Sequence, residues 1–430
     1  MKPLNPTFAG TGTTIFTVMS ALANQHGATN LGQGFPDKDG PLALREKAAQ
    51  ALIDGPNQYP PMMGVEALRQ ALAAHARRFY DLSYDWRSEI VVTSGGTEAL
   101  TASIMGVVKP GDEVVLFEPA YDSYRPIVEA VGGIVRPVRL QAPDWTLSET
   151  ALANAFSDKT KAVILNSPMN PAGKVFSSSE LELIARFLKR HDAIAICDEV
   201  YEHLTFDGLK HMPLATLPGM YERCLRVGSA GKIFSLTGWK VGWVEGPAGL
   251  LGAVAKAHQF ITFTTPAALQ IAVAHGLESA EDYYLGLAPE LGANRDFLAR
   301  GLNEIGFEPL QSQGTYFLTV DIRKLRFNGS DVEFCKHITE HARVAAGNRS
   351  PRLPPSASPA LKNARICSKN HWSPMCRSNP SAPQFTAGGW RMWTFGSRTP
   401  AIFTSPTPPA GFGKRRTTDS PSPPFLMVKW

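Results

Sequence analysis

A single lysine lies among small residues near the middle of the chain, where its amine would be accessible to a reacting carbonyl. Lys232 follows the small residues 229–231 (SAG), which come after a short apolar stretch that predicts the end of a strand. Small residues allow a backbone to approach a bulky ligand closely, and lysine amines attack carbonyl carbons in covalent catalysis. The alternative is a glycine-rich surface turn with a solvated lysine.

A second group of polar residues follows other apolar stretches. Asp198 directly follows the apolar residues 193–197, and a buried carboxylate is costly unless a cation or a donor pairs with it. A protonated ring nitrogen of a cofactor is one suitable partner, whereas a helix cap or a buried ion pair is the structural alternative. Tyr201 and Asn170 could donate hydrogen bonds to the same ligand, although an Asn-Pro sequence is also a common turn.

The sequence also contains a candidate phosphate site. Gly96 and Thr97 lie in a turn that opens a predicted helix, whose free N–H groups and dipole favour an anion. Ser229 would add a hydroxyl and Lys240 a positive charge. Tyr121 could stack on a planar ring, but it could equally be a core aromatic residue, and many ordinary helices begin after Gly-Gly.

Strands and helices alternate around these residues. The predicted strands and helices of this part are 89–93, 99–108, 114–117, 134–140, 161–165, 180–190 and 193–197. This order predicts an α/β fold with a mostly parallel sheet between helices. The candidate residues follow the carboxyl ends of strands, which is where open α/β sheets bind ligands.

The remaining segments predict a second, smaller α+β domain. Residues 41–280 would form the large domain, whereas 1–40 and 281–346 would form the small one, extending to about 378 if the C-terminal part folds. The small domain would contain a short helix over 14–23, helices over 285–304 and 330–342, and a strand over 314–321.

The C-terminal 84 residues differ in composition from the rest of the chain. From Gly347 onward they contain 14 prolines, 12 basic residues, four tryptophans and one acidic residue, and they supply the excess of positive charge. Disordered segments are usually poor in aromatic residues. We therefore expect residues 379–430 to be a disordered or frame-shifted tail, and we do not predict nucleic-acid binding by the folded body.

Other classes of protein and site receive no support from the sequence. No apolar run reaches the length of about 18 residues that a membrane helix needs, and the first residues lack a signal-peptide core. The five cysteines are widely separated, which favours a reducing, cytoplasmic location. No membrane partner and no metal site are predicted.

Seven segments, in this order, resemble the class I/II pyridoxal-phosphate-dependent aminotransferases of fold type I. Among these, the chain is most similar to the kynurenine, glutamine and methionine aminotransferases, over roughly residues 5–346. The matching segments are 31–37 (LGQGFPD), 57–59 (NQY), 93–99 (TSGGTEA), 118–121 (EPAY), 170–175 (NPAGKV), 198–201 (DEVY) and 229–242 (SAGKIFSLTGWKVG).

The resemblance implies pyridoxal 5'-phosphate as cofactor and a role for each matching residue. Lys232 would bind the cofactor covalently, and Asp198 would pair with its ring nitrogen. The other implied cofactor contacts are Asn170 and Tyr201 on the ring oxygen, Tyr121 on the ring face, and Gly96, Thr97, Ser229 and Lys240 on the phosphate. Many relatives have arginine at the position of Lys240, and lysine keeps that charge but lacks the planar fork.

The resemblance also implies a homodimer and a substrate pocket. Tyr59 would reach the cofactor phosphate of the neighbouring subunit, and Gly34 and Asn170 would line the substrate pocket. The family clamps the substrate carboxylate with an arginine near its C-terminus, and Arg365 in the segment 365–369 (RICSK) is the nearest match. Residues 347–363, between the matching part and Arg365, do not resemble the family.

The predicted activity is transfer of an amino group from an L-amino acid of the methionine, glutamine, aromatic or kynurenine type to a 2-oxo acid. Released Lys232 would move the proton from the substrate Cα, and Tyr201 would assist at the cofactor. One alternative is a cysteine-conjugate β-lyase of the same fold. Another is a catalytically impaired homologue that binds the cofactor but lacks an intact C-terminus.

Overall fold

The computed structural model of the chain describes residues 2, 4–9, 12–325, 327–348 and 425–429. The α-helices are α1 (Pro6–Ala9), α2 (Ile15–His26), α3 (Leu42–Asp54), α4 (Glu66–Tyr80), α5 (Gly95–Val107), α6 (Tyr124–Ala130), α7 (Glu149–Ala155), α8 (Ser178–Arg190), α9 (Ala230–Ile233), α10 (Ala248–Ile261), α11 (Ala267–Ser279), α12 (Glu281–Glu304) and α13 (Asp331–Ala342). The strands are β1 (Thr29–Asn30), β2 (Ile90–Ser94), β3 (Glu113–Glu118), β4 (Ile134–Arg139), β5 (Thr160–Asn166), β6 (Ile194–Asp198), β7 (Cys224–Ser229), β8 (Val241–Glu245), β9 (Glu308–Pro309), β10 (Phe317–Asp321), β11 (Val344–Ala345), β12 (Gly347–Asn348) and β13 (Phe425–Lys429).

The central sheet has seven strands in the order β2-β8-β7-β6-β5-β3-β4. Strands β7, β6, β5, β3 and β4 run parallel to one another. Strand β8 is antiparallel to both β2 and β7. The predicted mostly parallel α/β fold is therefore confirmed. Parallel strands end at the same edge, so the polar residues that follow β5, β6 and β7 come together there.

Helices cover both faces of this sheet. Side chains alternate between the faces along each strand, so Val163 packs into one buried core with Leu44 of α3, while Ile164 packs into the other with Leu100 of α5. Both faces are thus covered at the centre of the sheet, which explains why β5 and β6 are mostly apolar rather than alternating, whereas the edge strand β4 contains two arginines.

A smaller sheet with the order β12-β13-β10-β9 has its own apolar cluster. Met19 of α2 and Phe334 of α13 pack there with Leu318 of β10. Strands β1 and β11 form a separate parallel pair. The described residues belong to one compact unit, and the proposed division into domains 41–280 and 1–40 with 281–346 stays a prediction.

The tail that is predicted over 379–430 to be disordered or frame-shifted contains an ordered strand at residues 425–429, and the frame-shift stays a prediction. Strand β13 pairs antiparallel with β10 and with β12, and its apolar residues Leu426, Met427 and Val428 are buried. Its partners lie more than 70 residues away in sequence, so no local periodicity reveals the pairing. The prediction for residues 379–424 lies outside the described part of the chain.

The helices of the described part have one further property in common. None of them is both long and apolar enough to cross a membrane.

Candidate active site

A cavity of about 700 Å³ lies at the carboxyl ends of the central strands. It brings together most of the candidate residues, namely Gly34, Gly96, Thr97, Tyr121, Asn170, Asp198, Tyr201, Ser229, Lys232 and Lys240. Tyr59 does not line the cavity and is 84% exposed. Arg365 lies outside the described residues.

The amine of Lys232 is held by two oxygen atoms. Lys232 lies in the short helix α9 directly after β7, and its Nζ donates to the Tyr316 hydroxyl at 2.7 Å and to the Gly34 carbonyl at 3.1 Å. The Tyr316 hydroxyl in turn donates to the Gly34 carbonyl at 2.6 Å. The aromatic rings of Tyr201 and Tyr316 lie 5.5 and 5.4 Å from Nζ, within the range of a cation–π interaction.

Asp198 ends strand β6 at the buried side of the cavity. The Tyr124 hydroxyl donates to its Oδ2 at 2.6 Å, and the Val200 N–H donates to its Oδ1 at 3.4 Å. Burial nevertheless raises the pKa of the Asp198 carboxyl to about 6, although these bonds and the charge of Lys232 act in the opposite direction. A cationic group beside Asp198 would stabilise its carboxylate.

Asn170 presents an unpaired polar atom. Its backbone N–H donates to the Asn166 side-chain oxygen at 2.7 Å, which fixes the turn. The Asn170 Oδ1 is buried without a hydrogen-bond partner in the described structure. Buried amides are normally paired, so a bound donor would satisfy this atom, and a rotated amide would satisfy a bound acceptor instead.

The start of α5 forms a cradle for an anion. Gly95 has a φ of +74°, and a Cβ there would lie 3.2 Å from the Lys240 ammonium nitrogen. A Cβ on Gly96 would lie 3.3 Å from the Val200 side chain. The glycines therefore let a cation and the N-terminus of a 13-residue helix converge, and this combination favours a phosphate.

Two contact residues were missed by sequence reasoning. Tyr124 holds Asp198 from 74 residues away, and Tyr316 holds Lys232 from 84 residues away. The sequence does contain an indication of Tyr316, because this residue follows Gly314 and Thr315, which form a turn immediately before β10. Thr315 has a φ of +67°, and a Cβ on Gly314 would lie 2.6 Å from a backbone oxygen, so the turn is tightly constrained.

Comparisons with known proteins agree with this geometry. Residues 27–368 match the family described as aminotransferase class I and II. The chain is 43% identical over 335 residues to the methionine aminotransferase of Escherichia coli, with 78% of this chain and 86% of that protein covered. It is 39% identical over 338 residues to the kynurenine–oxoglutarate transaminase of Dictyostelium discoideum, covering 74% of this chain and 78% of the relative.

A solved structure of an aminotransferase has a similar fold. The N-succinyldiaminopimelate aminotransferase of Mycobacterium tuberculosis superimposes with a TM-score of 0.78 at 44% identity, covering 80% of this chain and 90% of that chain. Fold and cavity thus define a transferase of fold type I. The chain belongs to the class I and II aminotransferases, a family that depends on pyridoxal phosphate.

Proposed function

We propose that the chain uses pyridoxal phosphate to move an amino group from an L-amino acid with a methionine, glutamine, aromatic or kynurenine side chain to a 2-oxo acid. The observation that supports this most directly is the shared cavity. It joins the amine of Lys232, the buried carboxylate of Asp198 and the cation Lys240 at a helix N-terminus.

The donor set fits this cofactor. Gly96, Thr97, Ser229 and Lys240 would hold its phosphate, and Asp198 would hold its ring nitrogen. Asn170 and Tyr201 would donate hydrogen bonds to the ring oxygen, and Tyr121 would stack on the ring. The Asn170 amide would be rotated for this, so that its nitrogen takes the position of the unpaired Oδ1. When bound, pyridoxal phosphate supplies an aldehyde carbon and an electron-withdrawing ring.

Lys232 would have two roles. Its amine would first bind the cofactor covalently and would then, once released by the amino acid, remove the proton from the substrate Cα. A general base must lie within hydrogen-bond reach of the proton that it takes. Tyr316 and the Gly34 carbonyl, at 2.7 and 3.1 Å, would keep the released amine oriented.

Asp198 would hold a proton on the ring nitrogen, and that proton makes the ring a better acceptor of electrons. The hydrogen bond from Tyr124 would keep the carboxylate in place. A preorganised charge of this kind stabilises the transition state without reorganisation during the reaction.

The substrate side chain would meet a mixed, uncharged surface. Helix α2 contributes Phe16, Thr17, Ser20, Ala21 and Asn24 to the cavity. Apart from Lys232, Lys240 and Asp198, the described lining contains no charged side chain. This surface favours an amino donor with an uncharged side chain. The relatives that are named for methionine and kynurenine support the same class of donor.

We further propose Arg365 as the group that binds the substrate carboxylate. A guanidinium can bind a carboxylate through two parallel hydrogen bonds. The match to the family extends to residue 368 and thus past Arg365, which supports this choice.

A homodimer is also proposed, with Tyr59 acting on the cofactor of the neighbouring subunit. Tyr59 contacts Phe263 edge to face, and Phe260 is 84% exposed near the end of α10. Exposed aromatic side chains at one place are typical of an interaction surface.

A cytoplasmic location is also proposed, and the free thiols of Cys197 and Cys224 support it.

Borohydride reduction of the purified protein with pyridoxal phosphate, followed by peptide mapping, tests the role of Lys232. We expect one phosphopyridoxyl group per chain, on Lys232. Lys256 is a matched control, because it lies on α10 and does not line the cavity. A label on another lysine would contradict the proposal, and Lys256→Ala should leave the labelling unchanged.

A panel of amino donors tests the substrate class. Methionine, glutamine, phenylalanine and kynurenine should be converted with higher kcat/KM than aspartate when 2-oxo acid formation is measured. A marked preference for N-succinyldiaminopimelate would contradict the proposed substrate class and would match the name of the similar enzyme from Mycobacterium tuberculosis.

A further inference from the structure

Three side chains with metal-binding atoms converge outside the candidate active site. His75 lies in α4, while Glu202 and His203 lie in the segment that follows β6. One ligand atom from each of the three side chains lies within 4.8 Å of the other two. The Nε2 atoms of His75 and His203 are 2.8 Å apart. None of the three lines the cavity that contains Lys232.

The surroundings hold these side chains in place. The ring of His75 lies 4.8 Å from the ring of Phe79, and the ring of His203 lies 4.8 Å from that of Tyr284. The Arg226 guanidinium donates a hydrogen bond to Glu202 at 3.3 Å. Bonds of this type orient a carboxylate that binds a metal, and burial favours the neutral imidazole that a metal requires.

Glu202 belongs to a group of buried charged side chains around Arg226. Three buried carboxylates, those of Glu199, Glu202 and Glu245, surround the single guanidinium of Arg226. The contact between Arg226 and Glu202 is the longest of these, at 3.3 Å, against 2.7 Å for Glu199 and 2.6 Å for Glu245. Glu202 is therefore the carboxylate that Arg226 engages least, which makes it the one best able to bind a further cation.

We propose that His75, Glu202 and His203 bind a divalent transition-metal ion, with Zn²⁺ the best match to the donor set. Two imidazoles and one carboxylate are a known set of zinc ligands, with bonds of about 2.0–2.2 Å and a fourth position for water. Tetrahedral bonds of that length place the two nitrogen atoms roughly 3.3 Å apart. Small rotations of the two rings would widen the present 2.8 Å distance enough.

Such an ion would have a structural effect. It would link α4 to residues 199–203, a segment that begins directly after Asp198 and contains Tyr201. Metal binding to the folded chain stabilises it in proportion to the concentration and affinity of the metal. The ion would thus stabilise the segment that carries the proposed cofactor contact Tyr201 and that adjoins Asp198.

The test uses the full chain with its cofactor, after treatment with a chelator. Co²⁺ is added as a spectroscopic probe, because a low-coordinate Co²⁺ site gives visible d–d absorption bands. We expect these bands to saturate at one equivalent per chain and to disappear when Zn²⁺ is added. Zn²⁺ should also raise the Tm. His75→Gln and His203→Gln should each weaken Co²⁺ binding at least tenfold, on the order seen when metal-site residues are altered.

Two controls distinguish this site from casual binding. His203 is only half buried, so His203→Gln should fold even if His75→Gln does not. The rings of His337 and His341, four residues apart on α13, stack at 4.3 Å and are the natural place to test for casual metal binding by two histidines. The double variant His337→Gln/His341→Gln should keep the Co²⁺ bands. Bands that persist in His203→Gln, that vanish in the double variant, or that never form would overturn the proposal.

Discussion

Tyr316 is the side chain that fixes the amine of Lys232. Its hydroxyl accepts from Lys232 Nζ at 2.7 Å and donates to the Gly34 carbonyl at 2.6 Å. Tyr316→Phe removes both bonds and leaves the direct bond from Lys232 Nζ to the Gly34 carbonyl as the remaining one of this set. The loss of bonds that include a charged donor typically costs about 1–3 kcal/mol. We expect kcat to fall by roughly 5- to 150-fold on that scale, with cofactor binding retained. Steady-state kinetics and the cofactor absorbance measure the two effects.

Tyr221→Phe is the matched control for this change. The Tyr221 hydroxyl bonds to the Ser83 carbonyl and to Glu89, and Tyr221 does not line the cavity. It should leave kcat unchanged. An equal loss in both variants, or none in Tyr316→Phe, would exclude an orienting role for Tyr316.

Asp198 should make the stability of the cofactor-free protein depend on pH. Burial raises its pKa to about 6 in the folded chain, above the usual value of 3.8. The unfolded chain therefore loses this proton first, and folding stability falls as the pH rises from about 4 to 6, by about 3 kcal/mol. Asp198→Asn should remove that fall. Urea unfolding at pH 4.5 and 7.5, compared between wild type and variant, measures it.

A bound cationic ring nitrogen should reverse this effect in the wild type. With pyridoxal phosphate present, the wild type should gain more stability at pH 7.5 than Asp198→Asn does, because only the carboxylate can pair with the cation. Equal gains in the two proteins would contradict the proposed pairing.

At the scale of elements, local patterns predicted those helices and strands whose signals lie within their own sequence. The helix predicted over 180–190 is observed as Ser178–Arg190, because Ser177 and Glu180 form a capping box at its start. The candidate roles of Gly96 and Lys232 were likewise inferred from the residues next to them in the sequence. Strand β13 and the cluster of His75 with Glu202 could not be found in this way, because their partners are distant in sequence.

Strand β13 links the C-terminus to the loop that lines the cavity. Lys429 Nζ donates to the Phe35 carbonyl at 2.5 Å and to Asp37 at 2.8 Å, and its side chain is almost fully buried. Lys429→Met removes these bonds and should loosen the loop that carries Gly34. We expect a higher KM for the amino donor, by roughly tenfold for a bond to a charged group, with smaller changes in cofactor affinity.

Lys38→Met provides the control for Lys429→Met. Lys38 also forms an ion pair near this loop, with Glu290, but both side chains are nearly half exposed. Exposed pairs contribute little, so its KM should stay near the wild-type value. A similar KM in both variants would show that β13 does not position the loop.

At the scale of the whole molecule, the proposed dimer would complete each active site with Tyr59 of the other chain. Tyr59 is 84% exposed and lies away from the cavity of its own chain. In a twofold dimer the same residue of each chain can serve the site of its partner. The exposed ring is then an active-site group whose position only the assembly explains.

A mixed dimer tests this arrangement. Chains with Lys232→Ala and chains with Tyr59→Ala, each with its own affinity tag, are co-expressed, and the dimer that carries both tags is isolated. If Tyr59 acts on the partner's cofactor, one site of the mixed dimer carries both changes and the other carries none. Its activity at limiting cofactor should then reach about half that of the wild type, above either parent homodimer. If Tyr59 acts within its own chain, both sites stay altered as in the parents and the mixed dimer shows no gain. If Tyr59 does not act on the cofactor, the Tyr59→Ala homodimer keeps the activity of the wild type and exceeds the mixed dimer.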